Sequence, residues 1–142
     1  MNIFNSTQSL SYDLSNITNK MEQVCTTNDN KEICITLCEM PLLKTKEETT
    51  CCIQFIMYKL QEVLSIKDRV DINIYITKDI KMEMFKTIHL FFDIFKRELP
   101  NKLNKCKIYT KAKYKGMASM LLTFADKETK SRMEILNHSI IT

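Results

Sequence analysis

Glycine is almost missing from this chain, and its scarcity removes several classes of function. Only one glycine and two prolines occur in 142 residues. Dinucleotide-binding turns, Walker phosphate loops and the nucleophile turn of α/β-hydrolases each need several glycines at fixed spacing, because the backbone must approach a ligand closely or adopt a positive φ. The sequence therefore excludes sites that are built on these glycine motifs.

Long apolar runs are missing as well. The hydrophobic fraction is 44% and the charged fraction 27%, which is typical of a globular domain. No run approaches the roughly 20 apolar residues that a membrane-spanning helix needs. The first residues also lack the cationic and apolar segments of a secretory signal. We expect a cytoplasmic single-domain protein, and the only membrane association that this composition allows is a peripheral one.

Histidine is scarce, and this disfavours catalysis. A serine or cysteine nucleophile needs a histidine base within reach. His89 lies inside a predicted helix and His138 lies near the end of the chain. The paired carboxylates of the chain fall at predicted helix starts and on exposed faces. We therefore expect a protein that is not an enzyme and that uses no cofactor.

The six cysteines favour core packing over a disulfide framework. Five of them occupy apolar positions of predicted strands and helices, and only Cys25 lies in a polar stretch; the five are Cys34, Cys38, Cys51, Cys52 and Cys106. Such positions are typical of reduced cysteines in an intracellular protein. Their spacing to the two histidines matches no zinc finger, so we predict no metal site.

Hydrophobic periodicity predicts an α/β domain. Strands are expected at 32–40, 70–77 and 105–110, helices at 45–65 and 80–99, a helical segment at 114–124 and a fourth strand at 135–142. Helical crossovers of this length join parallel strands. We predict a single domain over residues 31–142, with a mainly parallel sheet of about four strands and helices packed on one face. Residues 1–30 are expected to form a polar N-terminal arm or a short helix.

The predicted strands have one apolar face and one mixed face. Val70, Ile72, Ile74 and Ile76 alternate with Asp71, Asn73, Tyr75 and Thr77, and the strands at 32–40 and 105–110 alternate in the same way. Parallel strands that are covered on both sides are apolar on both faces. The mixed face therefore predicts a small polar pocket or a binding surface, rather than a long apolar tunnel.

A run of lysines is the second signal. Six lysines occur within fourteen residues that contain no acidic residue, with Tyr109 and Tyr114 between them; they are Lys102, Lys105, Lys107, Lys111, Lys113 and Lys115. In an extended segment Lys105, Lys107, Lys111 and Lys113 would project to the same side. Each such charge contributes about 1 kcal/mol near an anionic membrane. A solvated face is the alternative, and nucleic acid is disfavoured because no RNA-binding aromatic motif accompanies the lysines.

Four segments carry a resemblance to a known family. They are ICITLCEMPLLKTKEE, VDINIYITKD, ELPNKLNKCKIYT and MASMLLTFADKETKSRMEIL. In this order they resemble the CRAL-TRIO lipid-binding fold, in particular its divergent branch that includes the BCH scaffold domains. The resemblance covers about residues 31–136 and is most specific over 99–133. It implies lipid recognition with a gate-like helix over the mixed face, or a protein-interaction scaffold.

Two functions follow from the residues and the resemblance together. The first is a non-enzymatic module that recognises an anionic lipid or phosphoinositide at a membrane surface through the six lysines. Its predicted ligand-binding residues are Tyr75, Tyr109, Tyr114, Met117, Met120, Leu121 and Phe124. The alternative is an interaction scaffold that has no lipid cavity and holds a protein partner or a second copy on its sheet face or edge strand.

Overall fold

Strands and helices alternate along most of the chain. The computed structural model describes residues 3–99 and 101–137. The strands are β1 (Cys25–Thr27), β2 (Ile33–Thr36), β3 (Val70–Ile76), β4 (Leu103–Thr110) and β5 (Met133–Asn137), and the helices are α1 (Ile3–Val24), α2 (Lys46–Leu64), α3 (Phe85–Glu98), α4 (Lys115–Leu122) and α5 (Lys127–Ser131). Among these residues no helix is both long and apolar enough to cross a bilayer.

The five strands form one sheet in the order of the sequence, β1-β2-β3-β4-β5. Only β1 pairs antiparallel; β2 to β5 run parallel. Crossovers between parallel strands are right-handed in nearly all proteins. Three such crossovers that advance in the same direction bring α2, α3 and the α4–α5 pair to the same side. The predicted α/β class and mainly parallel sheet are confirmed, with five strands instead of about four.

Burial follows the predicted alternation and identifies the side that carries the helices. The residues that point to that side are almost inaccessible in the three central strands: Ile33, Ile35, Val70, Ile72, Ile74, Ile76, Cys106 and Ile108. Helix α3 packs Ile88, Phe91 and Phe95 into the same core. The phenylalanine side chains on this face of α3 are therefore part of the core.

The N-terminal segment is more extensive than an arm or a short helix. Helix α1 has 22 residues, and β1 adds an antiparallel edge strand to the sheet. Ile17, Met21 and Val24 are buried in the main core, and the Cys52 thiol lies 3.8 Å from the Met21 sulfur. Cys25, which lies in a stretch of polar sequence, is also buried. This segment packs with the rest of the domain because Ile17, Met21 and Val24 fall on one helical face.

Several element boundaries differ from the predicted ones. Strand β2 ends at Thr36 because residues 37–39 form a one-turn 3₁₀ helix. Similar turns over 82–84 and 112–114 precede α3 and α4, so both helices begin later than predicted. The last strand begins at Met133. Residues 138–142 of the predicted fourth strand, with His138, lie outside the described residues.

Helix α2 begins with a capping box that stabilises its first turn. The Thr45 Oγ1 accepts a hydrogen bond from the Glu48 backbone N–H at 3.1 Å, and the Glu48 carboxylate accepts one from the Thr45 backbone N–H at 3.0 Å. We expect Thr45→Ala to lower the free energy of unfolding by about 1 kcal/mol. Urea denaturation measures this loss. The control is Thr50→Ala on the exposed surface of the same helix, which should leave the free energy of unfolding unchanged. Equal losses in both variants would contradict a stabilising role of the capping box.

Candidate functional site

The second face of the sheet carries polar and aromatic side chains, and we call it the open face. Strand register aligns them in three rows: Glu32, Asp71 and Lys105; then Thr26, Cys34, Asn73, Lys107 and Glu134; then Thr36, Tyr75, Tyr109 and Leu136. Of these only Asn73 is fully buried. No helix of the described chain lies over this face, because all crossovers lie on the other side. The predicted mixed face is therefore half-buried and accessible.

Glu32 is the most tightly held charge of the open face. It follows a turn in which Lys31 has a φ of 62°, and its backbone N–H donates to the Asn28 side-chain oxygen at 2.8 Å. Its carboxylate accepts hydrogen bonds from the side-chain amides of Asn28 at 2.9 Å and Asn73 at 3.2 Å. The hydrogen bond from Asn28 is the main cause that lowers the pKa of Glu32 below its ordinary value of 4.5, and Asn73 and Lys107 act in the same direction.

Tyr75 and Tyr109 form a stacked pair at the centre of the third row. They are register partners on β3 and β4, and their ring centroids lie 5.1 Å apart with 14° between the ring planes. Burial is the main cause that raises the pKa of Tyr75 above its ordinary value of 10.0, with smaller contributions from Cys34 and Tyr109. The stack places aromatic surface at the centre of the third row.

Residues of opposite charge are neighbours in the first row. Asp71 and Lys105 are register partners, and Asp71 accepts a hydrogen bond from the Asn104 side-chain amide at 2.8 Å. A hollow of about 200 Å³ lies between these groups and the Glu32 network. The hollow is lined by Glu32, Asp71, Asn73, Asn104, Lys105 and Lys107. It is polar throughout, so desolvating it against an acyl chain would be costly.

The six lysines do not form one stripe, which corrects the expectation of a single extended segment. Strand β4 ends at Thr110 and a 3₁₀ turn follows. Lys102 lies before β4, and Lys105 and Lys107 lie on the open face. The other three lie at the carboxyl end of the sheet, in a segment that we call the basic turn: Lys111, Lys113 and Lys115. The ion pairs of the described residues involve Lys20, Lys78 and His89 and none of these six.

A second hollow lies beside the basic turn. It has a volume of about 100 Å³ and is lined by Thr110, Lys111, Ala112, Lys115, Ile135 and Asn137. The Lys113 Nζ lies 5.1 Å from the centroid of the Tyr114 ring, which is within the range of a cation–π contact. Met120, on the following helix, is 44% exposed. The helix that follows the basic turn therefore carries an exposed apolar side chain.

The predicted ligand-binding residues lie on two sides of the sheet. Tyr75 and Tyr109 are on the open face, whereas α4 and the residues after it pack beside α3. The ring centroids of Phe124 and Phe85 lie 6.0 Å apart. The Met117 sulfur lies 3.2 Å from the Ile80 backbone nitrogen. Leu121 is fully buried, and Tyr114 and Met117 pack against the core. The prediction that a gate-like helix covers the mixed face is therefore wrong, because the right-handed crossover carries α4 to the opposite side of the sheet.

The cysteines and His89 offer no reactive cluster among the described residues. All six cysteines are free, and burial raises the pKa of Cys25, Cys52 and Cys106 to about 12. The Nδ1 of His89 lies 3.5 Å from the Asp93 carboxylate on the surface of α3. Within the described ranges no group of three or more histidines, cysteines and acidic residues could hold a metal ion.

Two ionic groupings were not found from the sequence. Glu39 pairs with Lys78 at 2.6 Å and with Lys20 at 3.7 Å, and the hydrogen bond from Lys78 is the main cause that lowers the pKa of Glu39. The Glu32 network is the second. An asparagine four residues before a glutamate at a strand start is a turn signal that would have pointed to the Glu32 network, whereas the partners of Glu39 are distant in sequence.

Comparisons with known proteins returned no relative of this chain. No protein-family model, no curated protein and no solved structure matches it.

The Glu32 network makes a pH-dependent contribution to stability. Because the pKa of Glu32 is lower in the folded chain than its ordinary 4.5, its stabilisation is fully present above that value and is lost as the pH falls through the folded pKa. We expect Glu32→Gln to cost about 1 kcal/mol at neutral pH and almost nothing below the folded pKa. Urea denaturation at several pH values measures the difference, with Glu62→Gln on the exposed surface of α2 as control. A penalty that is independent of pH would contradict this account.

Proposed function

We propose that this chain is a non-enzymatic module that recognises an anionic lipid headgroup of the phosphoinositide class at a membrane surface. The basic turn is the observation that carries the proposal. It has three lysines within five residues, and none of them has a carboxylate within 4.0 Å among the described residues. Unpaired lysines in one short exposed segment suit a phosphate-rich surface, since no internal ion pair must be broken before binding.

The size and chemistry of the hollow at the basic turn support a headgroup rather than an acyl chain. About 100 Å³ is the volume of roughly three water molecules, at about 30 Å³ each. Lys111 and Lys115 flank this space together with the polar groups of Thr110 and Asn137. A phosphate group suits it, and the exposed Met120 can lie against the interfacial region of the bilayer. The resemblance to CRAL-TRIO domains supplies the lipid class.

A protein-interaction scaffold is the second candidate, and the open face favours it. This face combines a stacked aromatic pair with charges of both signs, and it is accessible in the described structure. Strand β5 adds an edge on which Met133, Ile135 and Leu136 are only half-buried. Protein surfaces with this mixture of aromatic and paired polar groups are common at interfaces.

Replacing the three lysines of the basic turn tests the lipid proposal. The variant Lys111→Gln/Lys113→Gln/Lys115→Gln should bind vesicles containing a phosphoinositide about 100-fold more weakly, because each lysine contributes about 1 kcal/mol near an anionic surface. Vesicle flotation measures the binding.

The control variant carries the same change in net charge at the opposite end of the sheet. Lys96, Lys127 and Lys130 are exposed on α3 and α5, and Lys96→Gln/Lys127→Gln/Lys130→Gln should retain most of the binding. Neutral phosphatidylcholine vesicles should bind neither variant nor the unaltered chain. Equal losses in the two triple variants, or equal binding to neutral vesicles, would contradict the proposal.

A further inference from the structure

The open face has a charge balance that does not suit an anionic partner. Its acidic residues are Glu32, Asp71 and Glu134, and its basic residues are Lys105 and Lys107. Their formal charges sum to −1, from three carboxylates and two ammonium groups. A membrane or a nucleic acid would be repelled by the acids. A surface with the same mixture of charges is a better partner.

The charges of the first row are segregated. The two acids of the first row lie on the β2–β3 side, and the lysines lie on β4, across the line between β3 and β4. The stacked rings of Tyr75 and Tyr109 lie on this same line, one on each side of it. About this line the first row is therefore antisymmetric in charge and the tyrosine row is symmetric, whereas Glu134 of the second row lies on β5, on the same side as the lysines.

We infer that two copies of this chain dock through their open faces about a two-fold axis that runs parallel to the strands, between β3 and β4. This rotation sets Asp71 opposite Lys105 of the second copy, and Lys105 opposite Asp71. Each tyrosine pair lies on the tyrosine pair of the second copy. The surface is self-complementary, as an isologous interface requires.

The direction of the axis follows from the rows. A two-fold axis in the plane of the sheet but perpendicular to the strands would invert the order of the rows. It would set Asp71 and Lys105 against the tyrosine row and leave both charges desolvated without partners, which is costly. Only the axis parallel to the strands pairs charge with charge and ring with ring.

The size of the face indicates a weak, reversible dimer. Strands lie about 4.8 Å apart and rise about 3.3 Å per residue, so the sheet presents roughly 400–500 Å² in projection. A stable interface typically buries about 800 Å² of accessible surface on each partner. The contact therefore lies at the weak end of specific interfaces, and we expect the dimer to depend on protein concentration.

Charge reversal followed by mixing tests this geometry. Sedimentation velocity should detect a dimer of the unaltered chain between about 10 μM and 1 mM, the range of weak specific contacts. Asp71→Lys sets two lysines against each other at both contacts, and Lys105→Asp sets two aspartates against each other. The dissociation constant of the dimer should be raised at least about 30-fold in each variant alone. An equimolar mixture of the two should dimerise again, because both contacts are then opposite in charge.

Controls separate this interface from other effects. Glu62→Lys on the exposed surface of α2 should leave the dimer unchanged. The double variant Asp71→Lys/Lys105→Asp restores both pairs in one chain and should dimerise even if a single reversal impairs folding, which circular dichroism would reveal. A monomer throughout the concentration range, a dimer that survives the single reversals, or a mixture that stays monomeric would overturn the inference. None of these outcomes depends on lipid, so failure of the dimer and failure of the headgroup proposal are distinguishable.

Discussion

The handedness of the crossovers between parallel strands is the constraint on which most of this structure depends. Each crossover from β2 to β5 advances by one strand in the same direction, so each delivers its helix to the same side of the sheet. The isoleucines of the central strands are buried there, while their alternate neighbours remain accessible. The parallel direction of β2 to β5 brings the loops that follow β2, β3 and β4 to one end of the sheet, and the basic turn is one of them. The core and the open face therefore follow from crossover handedness, and the basic edge follows from the parallel direction of the strands.

Features that depend on local sequence could be predicted. The alternation in β3 and β4 and the capping box at Thr45 each lie within a few residues, so periodicity and cap chemistry identify them. Strand β1 and the length of α1 could not be predicted, because their polar composition conceals the few apolar residues that pack, such as Met21 and Val24. Strand β2 was predicted too long, since Leu37 and Cys38 continue its alternation although both enter a 3₁₀ turn. The side on which α4 packs is set by topology, which no local pattern reports.

The open face shows why a mixed strand face should be interpreted by its contacts. From the sequence, Asp71, Asn73 and Lys107 are polar side chains that alternate with isoleucine. In the structure Asn73 joins a network with Glu32 and Asn28, and Asp71 accepts a hydrogen bond from Asn104, so these polar groups are held rather than merely solvated. Held groups keep their geometry without a ligand, and a surface with fixed charges can recognise a partner at a smaller entropic cost than a flexible one. The hydrogen bonds of Glu32, Asp71 and Asn73 distinguish the open face from the basic turn, whose lysine side chains have no ion pair among the described residues.

The two proposed surfaces are compatible because they meet at an edge of the sheet without overlapping. A two-fold axis parallel to the strands leaves both copies pointing in the same direction, so two basic turns would face the same membrane. One turn with three lysines contributes about 3 kcal/mol, which alone corresponds to a dissociation constant in the millimolar range or weaker. The second turn of a dimer binds as an intramolecular event at high effective concentration, and avidity can then exceed the affinity of one turn by orders of magnitude. Weak self-association and weak headgroup binding would thus reinforce each other, since each membrane-bound copy raises the local concentration of the other.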